Sequence, residues 1–418
     1  MNNLNVYEIG ADELNGEITN DAVFNRNASL EERFNINIDT LSMDNPSHFE
    51  HVNFITNSVL SQDNAFDIAS TLVYTVGGMI LNNMFLNWKT IPYIELENPW
   101  WAKGVNDPFT VDNKLFAAVS DTCISCMRKT NVFLFNKEIA ENFQTEDLYS
   151  VVEEGRWTLD YVINLTSDIY EDLNANGEKD PDDFFGLTTN TINSLDGFRT
   201  GCDQNTLRDT GEGLEIIINT EKMVNIWEKT NQLVYESIGT NHDDFVDLPP
   251  FLENRSLLAI TPLDSMFGSL REMETDFGIL PYPKYDEAQQ KYYSHRADDY
   301  SVMLIPVTLI NKELVGAVSE AMACESNKNV MPAFYEDALK NKYSRDEKSV
   351  AMLDLIMDGR VADLSILYTQ SFKTGRLAHI IRISLRERTN FTTFYAKNEK
   401  LYRKQVDDLY EQLKALGE

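Results

Sequence analysis

Residues Leu257 to Pro306 constrain the fold of this chain more than any other stretch. Leu257-Leu258-Ala259-Ile260 is a short apolar run bounded by Thr261-Pro262. Asp276-Phe277-Gly278-Ile279-Leu280-Pro281 is a second, and Tyr300-Ser301-Val302-Met303-Leu304-Ile305-Pro306 a third. Runs of this length closed by proline read as buried strands, because proline has no amide to give a ladder and ends the pairing. The stretch predicts three strands joined by helix and loop, the last leading out of one domain and into another. Tyr282, Tyr285, Tyr292, Tyr293 and Tyr300 crowd the intervening loops. Rings with a flat apolar face and a hydroxyl suit a sugar-binding cleft, although ordinary core and surface tyrosines look the same in sequence.

At 418 residues the chain exceeds what one hydrophobic core organises, so two domains are expected. Against 36 basic side chains stand 67 acidic ones, a net charge of −31. That balance repels nucleic acid and anionic membrane surfaces and suits neutral or cationic ligands. Of four cysteines, Cys123 and Cys126 form a C-x-x-C, while Cys202 and Cys324 stand alone. No second pair or histidine set completes a zinc site. An extended 123–126 segment would hold the two thiols about 10 Å apart, too far for a disulfide. Free packed thiols are therefore expected. The uncharged stretch from Ile68 to Trp88 contains serine, threonines, asparagines and two glycines, too polar for a spanning helix.

Strand and helix alternate from the start, which predicts an α/β layer with much of its sheet parallel. Leu4 to Gly10 reads as a first strand, and Asp21 to Phe34 as a helix with Ala22, Phe24, Leu30 and Phe34 on its apolar side. Ile36-Asn37-Ile38-Asp39, Asp67-Ile68-Ala69-Ser70, Lys114 to Val119 and Asn131 to Lys137 read as further strands. Thr158 is a candidate N-cap for a helix that follows it. The end of the chain is helix-rich: 331–343, 346–358 and 399–416. Asn98-Pro99-Trp100-Trp101 sets two indoles side by side with no apolar period around them. Either one packs and one is half-exposed, or one ring is a stacking platform for a ligand.

Asp172 to Asp183 is the sharpest local motif. Against a twelve-position calcium loop, Asp172, Asn174, Asn176, Asp180 and Asp183 supply oxygen side chains at the ligating positions. Gly177 falls where the sharp turn needs it, and Glu178 offers a backbone carbonyl. A structural Ca²⁺ site is one reading. A polar Asx/Gly turn without metal is the other, since two positions are neutral asparagine and the last is the shorter Asp183.

Several stretches together resemble a known family. They are Asn25-Arg26-Asn27 through Glu31-Glu32-Arg33-Phe34-Asn35-Ile36, Pro99-Trp100-Trp101, Phe135-Asn136-Lys137, Gly155-Arg156-Trp157-Thr158, the 172–183 loop with Gly186-Leu187, Asp276 through Tyr285, and Ala333-Phe334-Tyr335 to Arg345-Asp346. The chain resembles the extracellular solute-binding proteins of sugar ABC importers, the maltose-binding-like group in its long form. The resemblance implies a two-lobe, type II periplasmic-binding-protein-like α/β fold with the ligand in a cleft between lobes joined by crossing strands. It places 1–130 and 303–330 in one lobe, and 135–298 with 331–418 in the other. It further implies a monomer working with permease subunits, outside the cell, anchored by lipid. The secretion signal and lipid-bearing cysteine of such proteins are not legible ahead of Leu4, so localisation rests on the resemblance alone.

Two functions compete at this stage. The first is carbohydrate binding, with Trp100 and Trp101 stacking, Tyr300 beside them, Asp67, Asp121, Asp264 and Asp299 accepting from hydroxyls, and Arg199 donating. The second is a glycan hydrolase with a carboxylate pair. No G-x-S-x-G elbow, phosphate loop or H-E-x-x-H supports another chemistry, and His48-Phe49-Glu50-His51 lacks both the spacing and a third ligand for a metal. A hydrolase would need two carboxyls facing one cleft about 5–10 Å apart, one of them with a raised pKa.

Overall fold

The computed structural model describes residues 8–41, 43, 47–243, 248–335, 347–372 and 376–417. Most of the strand expected at 4–10 lies outside the described residues, as do the latter part of the helix expected at 331–343 and Arg345-Asp346. The described strands are β1 (Ala69–Leu72), β2 (Asn131–Asn136), β3 (Tyr170–Glu171), β4 (Phe184–Asn190), β5 (Leu207–Asp209), β6 (Leu214–Ile216), β7 (Thr240–Asp243), β8 (Ser256–Pro262), β9 (Phe277–Leu280) and β10 (Ser301–Leu304).

The second lobe is built on a six-stranded sheet of order β3-β4-β8-β2-β9, with β7 also on β4. The sheet is mixed, which corrects the expectation of largely parallel pairing. β4 runs parallel to β7 and β8, because helical connections return the chain in the same direction. β2 runs antiparallel to β8 and β9, since it enters at the end where β8 leaves. β2 is buried on both sides. Phe133 and Phe135 join Leu258, Ile260 and Trp157 in one core, and Val132 and Leu134 join Ala259 and Ile279 in another. Burial on both faces is why this strand reads as an unbroken apolar run. Phe133, Phe198 and Tyr282 meet edge to face, with centroids 5.2 to 6.2 Å apart. Gly197 admits the last ring, since a Cβ there would stand 2.3 Å from its carbons.

In the first lobe β1 pairs antiparallel with β10, from Ala69↔Leu304 to Leu72↔Ser301. Residues 36–39 form no strand, and residues 114–119 make only isolated bridges such as Ala118↔Met303. Side chains take the amides a ladder would use. Glu31 accepts the Ile38 amide, Asn87 that of Leu115 and Asn106 that of Val119. The larger apolar core runs through both lobes, from Ile55, Val73 and Trp88 to Trp227 and Leu413.

Among the described residues the chain passes between lobes at 121–130, at 296–300 and at the π-helical turn Ser326–Val330, and its last helices cross again. The helix Ile18–Phe34 lies against the third passage. Its buried face is Val23, Arg26, Asn27 and Leu30; of the expected Ala22, Phe24, Leu30 and Phe34, Leu30 is fully buried and Ala22 and Phe34 pack partly buried against the cores. Two polar residues stand on the inner stripe, and periodicity counts only apolar ones. After the helix Glu347–Asp358, residues 364–371 return to the first lobe and touch the turn Val73–Thr75. The helix Phe391–Ala415 ends against that lobe as well, where Lys114 Nζ donates to the carbonyls of Leu413, Lys414 and Leu416. Among the described residues no helix is long and apolar enough to cross a membrane.

Candidate functional site

Four segments meet where the lobes face each other at the hinge. β1 runs into the turn Val73–Thr75, which presents Tyr74. The first passage supplies Arg128 and Lys129, and the second Asp298 and Asp299. β8 ends at Pro262, and Asp264 follows. Lys129 Nζ lies 2.8 Å from Asp299 and 3.5 Å from Asp264, while Arg128 Nε donates to Asp264 at 2.7 Å. On the other flank Asp298 Oδ2 stands 3.1 Å from His379 Nε2 and 3.4 Å from Arg382. His379 Nδ1 is in turn 2.9 Å from the buried Asp196.

The charges are matched within the chain. Burial pushes the Asp298 carboxyl up, but His379 and Arg382 outweigh it and hold it well below the usual carboxylate range. Burial lowers His379, yet Asp196 and Asp298 leave it raised. His295, buried beside them, is driven down to about 3 by burial and stays neutral. Tyr74 is half-buried. Burial first, then the negative charge of Asp298 and Asp299, lifts its phenol to about 12. A ring of one lobe therefore sits in the field of carboxylates carried by a turn of the second passage. Asp299 Oδ1 is buried and accepts no hydrogen bond. Paired carboxylates, a spare acceptor and an aromatic ring together favour a neutral guest rich in hydrogen-bond donors.

The structure brings Asp264 and Asp299 to this site. Asp121 lies in the first passage, where Asn327 of the third donates to it at 2.6 Å and burial raises its carboxyl. Asp67 is exposed at the opposite end of β1 from Tyr74. Tyr300 is 2% exposed beneath the Arg296 guanidinium, so its ring is closed off. Trp101 is 2% exposed and packs on Trp88, with ring centroids 5.6 Å apart. The Trp100 and Trp101 indoles both donate to Glu320 at 2.9 Å, so one carboxylate clamps the pair to the helix Lys312–Glu325. Arg199 is 1% exposed and donates to Asp363 at 2.9 Å and to the Gln204 carbonyl at 2.6 Å. Trp101 and Arg199 are thus both enclosed by the chain itself. Tyr282 and Tyr292 are core residues, while Tyr285 and Tyr293 line an open pocket of about 500 Å³ on the second lobe with Lys222 and Asp203.

Sequence reasoning missed Tyr74, Lys129, Asp298 and His379. Tyr74 had a usable signal, as the residue just past the carboxyl end of a strand, where open α/β sheets present ligands. For His379 there was none, because its partners lie far away in the chain.

The 172–183 loop folds back on itself. Gly177 takes φ +78 and its amide donates to Asp172, while the Asn176 and Glu178 amides donate to Asn174 and Asn176. Asp183 is fully buried and accepts from the Tyr170 hydroxyl and the Asp180 amide. Asp172 Oδ1 is buried without a partner. The donors are oxygen atoms of the type a hard cation takes. Among the described residues no three acidic, histidine or cysteine side chains are grouped so as to hold a metal ion. The four cysteines are free, and Cys123 and Cys126 lie on a helical turn, not the extended segment assumed from sequence.

No family model matches the chain, and no curated sequence matches it significantly. Solved structures do. A cyclo/maltodextrin-binding protein complexed with maltotetraose aligns over 97% of this chain and 94% of its own, at 10% identity and TM-score 0.60. UgpB from Mycobacterium tuberculosis, in complex with glycerophosphocholine, aligns over 93% and 95%, at 12% identity and TM-score 0.59. The GacH receptor of Streptomyces glaucescens, solved unliganded and with acarbose, aligns over 95% and 97%, at 12% identity and TM-score 0.58. The fold is thus the two-lobed fold of the maltose-binding type of periplasmic binding protein.

Proposed function

We propose that this chain is the substrate-binding component of an ABC importer. It binds a carbohydrate, an oligosaccharide, between its lobes and delivers it to permease subunits as a monomer on the outer face of the cell. The observation that carries the reading is the hinge site: Tyr74 of one lobe faces Asp298 and Asp299 of the passage at 296–300. Structures of the same fold that hold maltotetraose and acarbose support a hydroxylated ligand. Isothermal titration against oligosaccharides is the test. Binding at micromolar or tighter is expected, and no heat with any glycan overturns the reading. Against a hydrolase, Asp298 at the hinge is held down by its cations and so does not suit the general-acid role, which needs a raised carboxyl. Turnover of a glycoside would reverse that preference.

The 172–183 loop is proposed to hold a structural calcium ion through Asp172, Asn174, Asn176, Asp180, Asp183 and the Glu178 carbonyl. The unpartnered Asp172 oxygen and the left-handed turn at Gly177 support it. Stripping with EDTA should lower the melting temperature, and calcium should restore it. An unchanged melt removes the metal.

A further inference from the structure

One buried pair from the start of the chain reaches the three passages at 121–130, 296–300 and Ser326–Val330. Glu8 and Arg26 are each 2% exposed. Glu8 Oε1 accepts the Ser125 amide, in the first passage, at 2.6 Å. The hydroxyl of the same Ser125 accepts the amide of Ser301, where the second passage enters β10, at 2.9 Å. Arg26 donates to the Ser326 hydroxyl, in the third, at 3.1 Å, and to the main-chain carbonyls of Glu8 and Ile9 at 3.1 and 2.8 Å. The hinge is therefore tied from behind by residues that are not themselves part of it.

The knot contains an unbalanced carboxyl. Arg26 grips the Glu8 backbone, and the other Glu8 oxygen, Oε2, is buried with no hydrogen-bond partner. The ionisable groups that face it are Arg26 from the helix Ile18–Phe34, Arg128 from the helix Ser125–Arg128, and the Cys123 thiol just before that helix. Burial is the largest influence and lifts the carboxyl to about 7, against the pull of Ser125, the nearby Ser301 hydroxyl and the Arg128 charge. Ionising a carboxyl in such a place costs free energy that water would return. A shift of the passages would let water in.

We propose that Glu8 makes the hinge responsive to pH, protonation holding the passages packed as they are here and ionisation loosening them. The consequence for ligand uptake rests on the cleft reading above, but the device itself does not, and its test uses no ligand. Small-angle scattering of the ligand-free protein, from about pH 5.5 to about 8.5, should show the radius of gyration rising through one transition near neutrality. Glu8→Gln, which keeps an oxygen for the Ser125 amide but cannot ionise, should hold the low-pH radius throughout. A flat wild-type profile, or the same transition in Glu8→Gln, overturns the proposal. If the variant does not fold, carbon-13 titration of the Glu8 carboxyl in the wild type decides. A midpoint near neutrality supports the device, and one in the ordinary glutamate range, about 4.3, refutes it. A sugar panel without heat would leave these outcomes untouched, so the two readings can fail separately.

Discussion

Arg199→Met separates a structural arginine from a ligand-binding one. The guanidinium sits against Asp363 at 2.9 Å, both side chains almost fully buried. Removing one partner of a buried pair leaves the other charge uncompensated, typically at a cost of about 3–5 kcal/mol. Asp363 also accepts from the Thr206 amide and hydroxyl and from the Ser365 amide and hydroxyl. These remain in the variant and soften the loss, so the lower end, about 3 kcal/mol, is expected. Methionine is long enough to fill much of the space, which limits any cavity contribution. Burial raises the Asp363 carboxyl, but Arg199 and those hydrogen bonds more than reverse this and leave it low. The stability it confers is present above the unfolded aspartate pKa and is lost as pH falls through its lower folded value. In the variant Asp363 can take a proton, so the gap to wild type should narrow below about pH 4. Urea unfolding of the ligand-free protein, followed by tryptophan fluorescence near neutral and near pH 4, reads both effects. A variant within about 0.5 kcal/mol of wild type that has lost ligand affinity would refute the structural assignment.

Three further outcomes are expected. Tyr74→Ala should weaken binding of the best oligosaccharide about tenfold, or 1.4 kcal/mol, by titration calorimetry, with the melt unchanged. Glu320→Ala strips two indoles and the Asn98 amide of one acceptor and should cost about 2–3 kcal/mol in urea unfolding, with an altered tryptophan spectrum. Gly197→Ala drives a methyl into the buried Tyr282 ring and should cost about 3 kcal/mol, measured by thermal melting. Pairing it with Tyr282→Leu should recover part of that loss.

The parts of the fold legible in sequence were those whose cause is local. β2, β8, β9 and β10 announce themselves as apolar runs with proline or polar ends, and Thr158 does cap its helix by accepting the Tyr161 amide. Residues 36–39 and 114–119 look equally strand-like. What decides their fate is whether a distant side chain takes their amides, and Glu31, Asn87 and Asn106 do. The site followed the same rule. Trp100 and Trp101 stand out in sequence, but the Glu320 carboxylate that claims both indoles lies far along the chain, on another helix. Arg26 and Asn27 were hidden on a helix face that hydrophobic periodicity passes over, because they are buried for what they tie together and not for their apolarity.

The pairing of β1 with β10 has a bearing on how the protein is made. Among the described residues the ladder partner of β1 is synthesised about 230 residues later. A ribosome that has finished the first strand of this pair must produce the whole six-stranded sheet of the second lobe before the pair can form.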